Sequence, residues 1–165
     1  MNFTSFSKQQ IIDILSTIPD PEIPVINIKE LGVLRDVEIT GDECTVYITP
    51  TYSGCPAMKM IEDQIKEELK KIGIVKVKVN MIYSPAWTTD WITDEAKEKL
   101  RQYGIAPPLG TTVDKGVLLG KKKNIACPQC GSTDVEMISQ FGSTACKALY
   151  RCISCKEPFD YFKCI

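Results

Sequence analysis

Eight cysteines and not one histidine set the chemistry open to this chain of 165 residues. Without imidazole no Ser–His–Asp or Cys–His catalytic arrangement can form, and a metal site must rely on sulfur or oxygen ligands. Four of the cysteines fall in two Cys-x-x-Cys pairs, Cys127 with Cys130 and Cys152 with Cys155, with 21 residues between the pairs. Two short turns of that kind can pinch one tetrahedral ion, the zinc-ribbon arrangement. Four thiolates complete the shell of a zinc ion and leave no open position, so such a site is structural rather than catalytic. Some 40 residues bury too little apolar surface to fold unaided, and the metal supplies the missing stability. A redox-active pair is the competing reading, but one pair would suffice for that.

Cys55 raises a different question. It lies between Gly54 and Pro56 at what reads as the start of a helix, with Pro56 suited to the first helical position. Unpaired N–H groups and the helix dipole at such a place favour a thiolate, so the sequence predicts a thiol that ionises below the ordinary cysteine range. Simple packing of a small hydrophobe is the alternative. Cys146 and Cys164 are the remaining pair of interest. The Cys152–Cys155 turn should join antiparallel strands at approximately 145–151 and 158–164, which brings Cys146 and Cys164 together at the end away from the metal. They could pair with each other, face a common external site, or be ordinary buried thiols.

The elements that must position these groups are legible in outline. Ser7 and Gln10 form a capping box ahead of Ile11, Ile12, Leu15 and Ile18, and the run from Pro19 to Pro24 ends that helix. Strands are predicted over 32–40 and 43–49, joined by a Gly41-Asp42 turn. Ile61, Ile65, Leu69 and Ile72 mark the helix after Cys55, and Gly73 stops it. Val75, Val77, Val79 and Met81 alternate with polar residues as a third strand. A loop with Trp87 and Trp91 follows, its aromatics better suited to packing the sheet than to touching a ligand. Thr93 then caps a short helix that Gly104 closes. The result is an α+β fold with helices on a mixed sheet over residues 1–106, a Pro-, Gly- and Lys-rich linker over 107–123, and a β-rich zinc ribbon over 124–165.

Bulk properties narrow the partners. The net charge is −1, with 13 basic and 17 acidic side chains in residues 1–120 against 7 and 4 in 121–165. Much of the C-terminal excess is Lys121–Lys123, read as a solvated linker. No broad basic surface for nucleic acid is expected. No apolar run is long enough for a membrane span, and the start carries no signal-peptide pattern, so a cytoplasmic location is the expectation. There cysteines serve as metal ligands or redox thiols more often than as disulfides.

Four further stretches carry a resemblance: Asp20-Pro21-Glu22-Ile23-Pro24, Leu31-Gly32, Thr51-Tyr52-Ser53-Gly54-Cys55-Pro56-Ala57 and Pro85-Ala86-Trp87-Thr88-Thr89-Asp90-Trp91. They resemble the MIP18 (DUF59) family of iron–sulfur assembly proteins. The stretches 141–152 and 157–164 narrow the resemblance to the members of that family associated with phenylacetate degradation. The resemblance implies a MIP18-like α+β domain and a non-catalytic role in making or repairing the multicomponent phenylacetyl-CoA epoxidase. The implied partners are the epoxidase subunits, notably the iron–sulfur reductase component, or the iron–sulfur assembly machinery. The family's cysteine maps onto Cys55 and its acidic loop onto Asp20 and Glu22. Those carboxylates would act as hard ligands or proton acceptors, or else cap their own loop. Zinc is the implied structural metal. Cys55, supplied by the neighbouring domain, together with Cys146 and Cys164 could ligate a labile iron–sulfur cluster, with a disulfide or packing as the rival.

Two other functions compete. One is a zinc-ribbon module that binds nucleic acid or protein, against which the near-neutral charge counts. The other is an accessory subunit of the epoxidase that takes part in turnover, although the sequence offers no di-iron ligand set, flavin motif or dinucleotide fingerprint.

Overall fold

A computed structural model describes residues 6–109 and 124–163. The linker's Lys121–Lys123 and the C-terminal Cys164 lie outside the described residues. The chain divides into two compact units, residues 1–87 and 88–165.

In the first unit, α1 (Lys8–Leu15) begins at the expected capping box, with Ser7 and Gln10 each accepting from the other's backbone N–H. It buries Ile11 and Leu15. Strands β1 (Leu34–Thr40) and β2 (Glu43–Ile48) form an antiparallel hairpin, and β3 (Lys76–Met81) adds to β2 in parallel, giving the order β1-β2-β3. A parallel neighbour needs a crossover, and α2 (Ala57–Lys71) supplies it. Its Ile61, Ile65 and Leu69 recur at four-residue steps and are fully buried. Alternation along β2 sends Cys44, Val46 and Ile48 inward. Cys44, to which the sequence assigned no role, is a core residue whose burial pushes its thiol up. Trp87 is buried and donates its indole N–H to the Leu31 carbonyl at 2.9 Å, the packing role expected of it.

The second unit starts with a short 3-10 turn, Thr89–Trp91, and α3 (Asp94–Tyr103), capped by Thr93 and closed by Gly104 at φ 95°. Its sheet has the order β4-β7-β6-β5, from β4 (Ile105–Ala106), β5 (Val135–Ser139), β6 (Lys147–Cys152) and β7 (Pro158–Phe162). Residues 105 and 106 were expected to end the N-terminal domain. Ile105 and Ala106 pair in parallel with Asp160 and Tyr161, and the second compact unit takes in α3 and β4. Two residues of strand carry no readable periodicity, and only the exposed edge of β7 makes them a strand. Behind the ribbon sheet Ala106, Ile125, Ala148, Tyr150, Phe159 and Tyr161 form an apolar cluster, with Tyr150 stacked on Phe159 and edge-on to Tyr161.

Candidate functional site

The two Cys-x-x-Cys turns share one backbone design. In the first, Gly131 N–H donates to the Cys127 carbonyl at 2.8 Å and Cys127 N–H to the Ser132 carbonyl at 2.9 Å. In the second, Lys156 N–H donates to Cys152 and Cys152 N–H to Glu157, both at 3.0 Å. Gly131 and Lys156 hold the equivalent left-handed position, at φ 76° and 69°. The turns are held together by Ile153 N–H on the Asp134 carbonyl at 2.8 Å and by the Ser132 and Ser154 hydroxyls at 2.8 Å.

The four sulfurs converge. Cys127 lies 3.7 Å from Cys155 and Cys130 lies 3.6 Å from Cys152, and all four Sγ atoms fall within 4.8 Å of one another. A tetrahedral ion with metal–sulfur bonds of about 2.3 Å separates its sulfurs by about 3.8 Å. The donor set fits zinc on chemistry as well. Four thiols this close resist joint ionisation in the absence of a cation. The Cys155 backbone N–H and the neighbouring thiol of Cys130 lower Cys152 to about 6 against its burial. The Glu157 N–H favours the Cys155 thiolate, but burial and the three neighbouring sulfurs outweigh it and push the group up to about 12. A divalent cation removes that conflict. Cys127 and Cys152 are buried, Cys155 half-buried and Cys130 exposed.

Cys146 sits elsewhere in this unit. The β6–β7 register pairs Lys147 with Phe162, and Lys163 N–H donates to the Cys146 carbonyl at 3.0 Å. Its thiol is 2% exposed and lies 3.0 Å from the Thr144 hydroxyl. Its expected neighbour, Cys164, is outside the described residues.

In the first unit Cys55 lines a surface cleft of about 290 Å³ with Pro50, Gly54, Met58, Lys59, Glu62, Met81 and Tyr83. Helix α2 starts one residue later than expected: Pro56 is the N-cap rather than the first helical residue, and Cys55 precedes it. The expected low pKa does not follow. Burial raises the Cys55 thiol, the Ala57 N–H pulls it back, and the Glu22 carboxylate adds to the rise. The Thr51 and Tyr52 side chains favour the thiolate more weakly. The physical reason is that a half-buried thiol beside an anion loses more on ionising than a helix N-terminus returns to it.

The acidic loop is therefore near the thiol, but its two carboxylates do different work. Asp20 is 5% exposed, and its Oδ1 accepts from Glu22 N–H at 2.9 Å and Ile23 N–H at 2.8 Å. That is the loop-capping role. Glu22 is half-buried and is the one that acts on Cys55. Sequence reasoning missed Met58, Glu62, Met81 and Tyr83 as cleft residues. Met58 and Glu62 stand one and two helical turns beyond Cys55, a spacing that offered a signal; Met81 and Tyr83 enter only through the sheet.

Two family descriptions match successive stretches of the chain: "Iron-sulfur cluster assembly protein" over residues 8–81 and "PaaD zinc beta ribbon domain" over residues 111–163. The chain is 51% identical over 152 residues to an Escherichia coli (strain K12) protein whose name describes it as a putative subunit of 1,2-phenylacetyl-CoA epoxidase, covering 92% of this chain and 90% of that one. It is 32% identical over 96 residues to the "Fe-S protein maturation auxiliary factor" of Porphyromonas gingivalis, covering 57% of this chain and 90% of that one. Among solved structures, the DUF59 domain from Bacillus anthracis superposes with a TM-score of 0.52 at 26% identity, covering 56% of this chain and 90% of that one.

Proposed function

The chain belongs to the PaaD family of iron–sulfur cluster assembly proteins, and from that premise we propose that it is a maturation factor with no catalytic turnover of its own. The observation that carries this reading is Cys55, a thiol opening on a cleft within the part of the chain that matches the assembly family. The cargo is an iron–sulfur cluster or a fragment of one, held on Cys55 as a single soft ligand. The raised thiol keeps its proton until iron displaces it, and Glu22 is the nearby carboxylate that favours the protonated form before loading and can take up a proton during exchange. One ligand holds cargo more loosely than four, which suits passing it on. The client is the phenylacetyl-CoA epoxidase, through its iron–sulfur reductase component. Cys127, Cys130, Cys152 and Cys155 hold a structural zinc that has no open position and takes no part in the transfer.

Anaerobic reconstitution tests the reading. Wild-type protein should retain iron and sulfide and restore the absorbance of the cluster-free reductase component, and Cys55→Ser should do neither while keeping its zinc. Equal client maturation by Cys55→Ser would overturn it. A second reading, a stoichiometric component of the epoxidase, is favoured by the name of the Escherichia coli relative. It requires the chain to remain bound to the epoxidase through turnover, which gel filtration of the active complex reads directly.

A further inference from the structure

Three sulfur-bearing side chains line the cleft of the first unit: the Cys55 thiol and the thioethers of Met58 and Met81. Different elements bring them there. Met58 stands three residues beyond Cys55 in the first turn of α2, and its N–H donates to the Cys55 carbonyl at 3.3 Å. Met81 ends β3 opposite Ile48 of β2, the strand from which Thr49 and Pro50 lead into the Cys55 loop. Met58 is buried and Met81 half-buried, whereas Met60, two residues further along α2, is 56% exposed and is not a lining residue. The charged groups of the cleft are already matched. Glu62 accepts from Lys66 at 2.5 Å, and Lys59 donates to Asp63 at 2.9 Å. Tyr83 adds a phenol in an exposed position. The donors left for a ligand in the interior of the cleft are mainly sulfur.

We propose that this cleft binds a soft monovalent cation, copper(I), on the Cys55 thiolate and the Met58 and Met81 thioethers. Thiolate and thioether sulfur select copper(I), whereas carboxylate and carbonyl oxygen suit harder ions. Charge points the same way. One thiolate neutralises one monovalent cation but leaves a divalent ion with a net charge in a half-buried setting. Binding breaks the Cys55 S–H bond, forms an S–Cu bond and releases the proton to solvent, and the copper keeps its oxidation state. Leucine would fill either methionine position with little change in volume, so packing alone does not call for sulfur at both. The inference goes beyond the maturation reading and does not rest on it. The two share Cys55, so copper on that sulfur would exclude iron.

The test uses the zinc-loaded full chain with isotope-labelled methionine methyl groups, titrated anaerobically with copper(I) from a competing chelator. The Met58 and Met81 methyl resonances should move before any zinc is released, while those of Met60 and Met137 stay in place. In the same samples alkylation of Cys55 by iodoacetamide should slow by about tenfold or more. Zinc(II) at equal concentration should move neither methyl. The double variant Met58→Leu, Met81→Leu conserves volume and should keep its zinc content while holding copper(I) about tenfold or more weakly. Met60→Leu should bind as the wild type does. Unmoved methyl resonances, copper that enters the ribbon and expels zinc first, an equal response to zinc(II), or unchanged affinity in the double variant would each overturn the proposal. The Cys55→Ser reconstitution keeps the two readings apart. Iron and sulfide retained by that variant remove the maturation reading, while the methyl shifts of the wild type still decide this one.

Discussion

Cys55 sits where two effects oppose each other, a helix start that stabilises a thiolate and a half-buried setting beside Glu22 that penalises it. Burial prevails. Because the folded-state pKa is raised, the folded protein holds this proton more tightly than the unfolded chain. The stabilisation is complete below the ordinary cysteine range and is lost as pH rises through the raised value. Iodoacetamide should therefore alkylate Cys55 more slowly than a free thiol at neutral pH, with a rate that climbs only above the usual cysteine midpoint of about 8.5. Replacing Glu22 with Gln should move that midpoint down, which the same pH–rate profile would show. Asp20 carries a prediction of another kind. Its side chain satisfies two backbone N–H groups from a buried position, so Asp20→Ala should cost about 1–3 kcal/mol in urea unfolding. The identity of these residues as a group was legible in the sequence, through the motifs that carry them. The division of labour between Asp20 and Glu22 was not, because spacing alone does not say which carboxylate turns back onto its own loop.

The two metal-binding turns place different residues in the same left-handed conformation, Gly131 in one and Lys156 in the other. A side chain at such a φ costs roughly 1–2 kcal/mol, partly recovered because glycine loses more freedom on folding. Lys156→Gly should consequently stabilise the ribbon by up to about 1 kcal/mol, visible as a higher midpoint when zinc is titrated away. The loop at the far end of β6 and β7 gives the opposite case. A Cβ on Gly142 would stand 2.6 Å from the Asp160 carboxylate and 3.4 Å from the Lys147 carbonyl. Asp160 also faces the buried Lys147 ammonium at 3.6 Å. Gly142→Ala should strain this pair and lower the ribbon's thermal midpoint without changing zinc stoichiometry. Periodicity, caps and stops announced α2, α3 and the three N-terminal strands to within about two residues, and the start of α1, which ends at Leu15 rather than running to Ile18. They did not announce β5, in which Met137 and Ile138 are both exposed across a register shift, because a bulge erases alternation.

On the scale of the whole molecule, the chain's two compact units rest on different sources of stability. The first buries Ile11, Leu15, Val46, Ile48, Ile61, Ile65 and Leu69, an apolar core that needs no metal. The second has an apolar cluster of which Cys127 and Cys152 are themselves members. Chelation of zinc, or Cys127→Ser, should thus abolish amide protection over residues 124–163 while the exchange pattern of residues 6–87 persists. Persistence of ribbon protection after complete zinc loss would refute this division. No helix among the described residues is long and apolar enough to cross a membrane. Most elements of the N-terminal unit, the convergence of the four ribbon cysteines and the family were legible in local spacing: turns, helical steps and paired Cys-x-x-Cys. That β4 completes the ribbon sheet, that burial raises the Cys55 thiol, and that Met81 and Tyr83 line one cleft with Cys55 came from the tertiary structure alone. Those three depend on which groups distant in sequence come to share one dielectric environment or one sheet edge, and no local pattern encodes that.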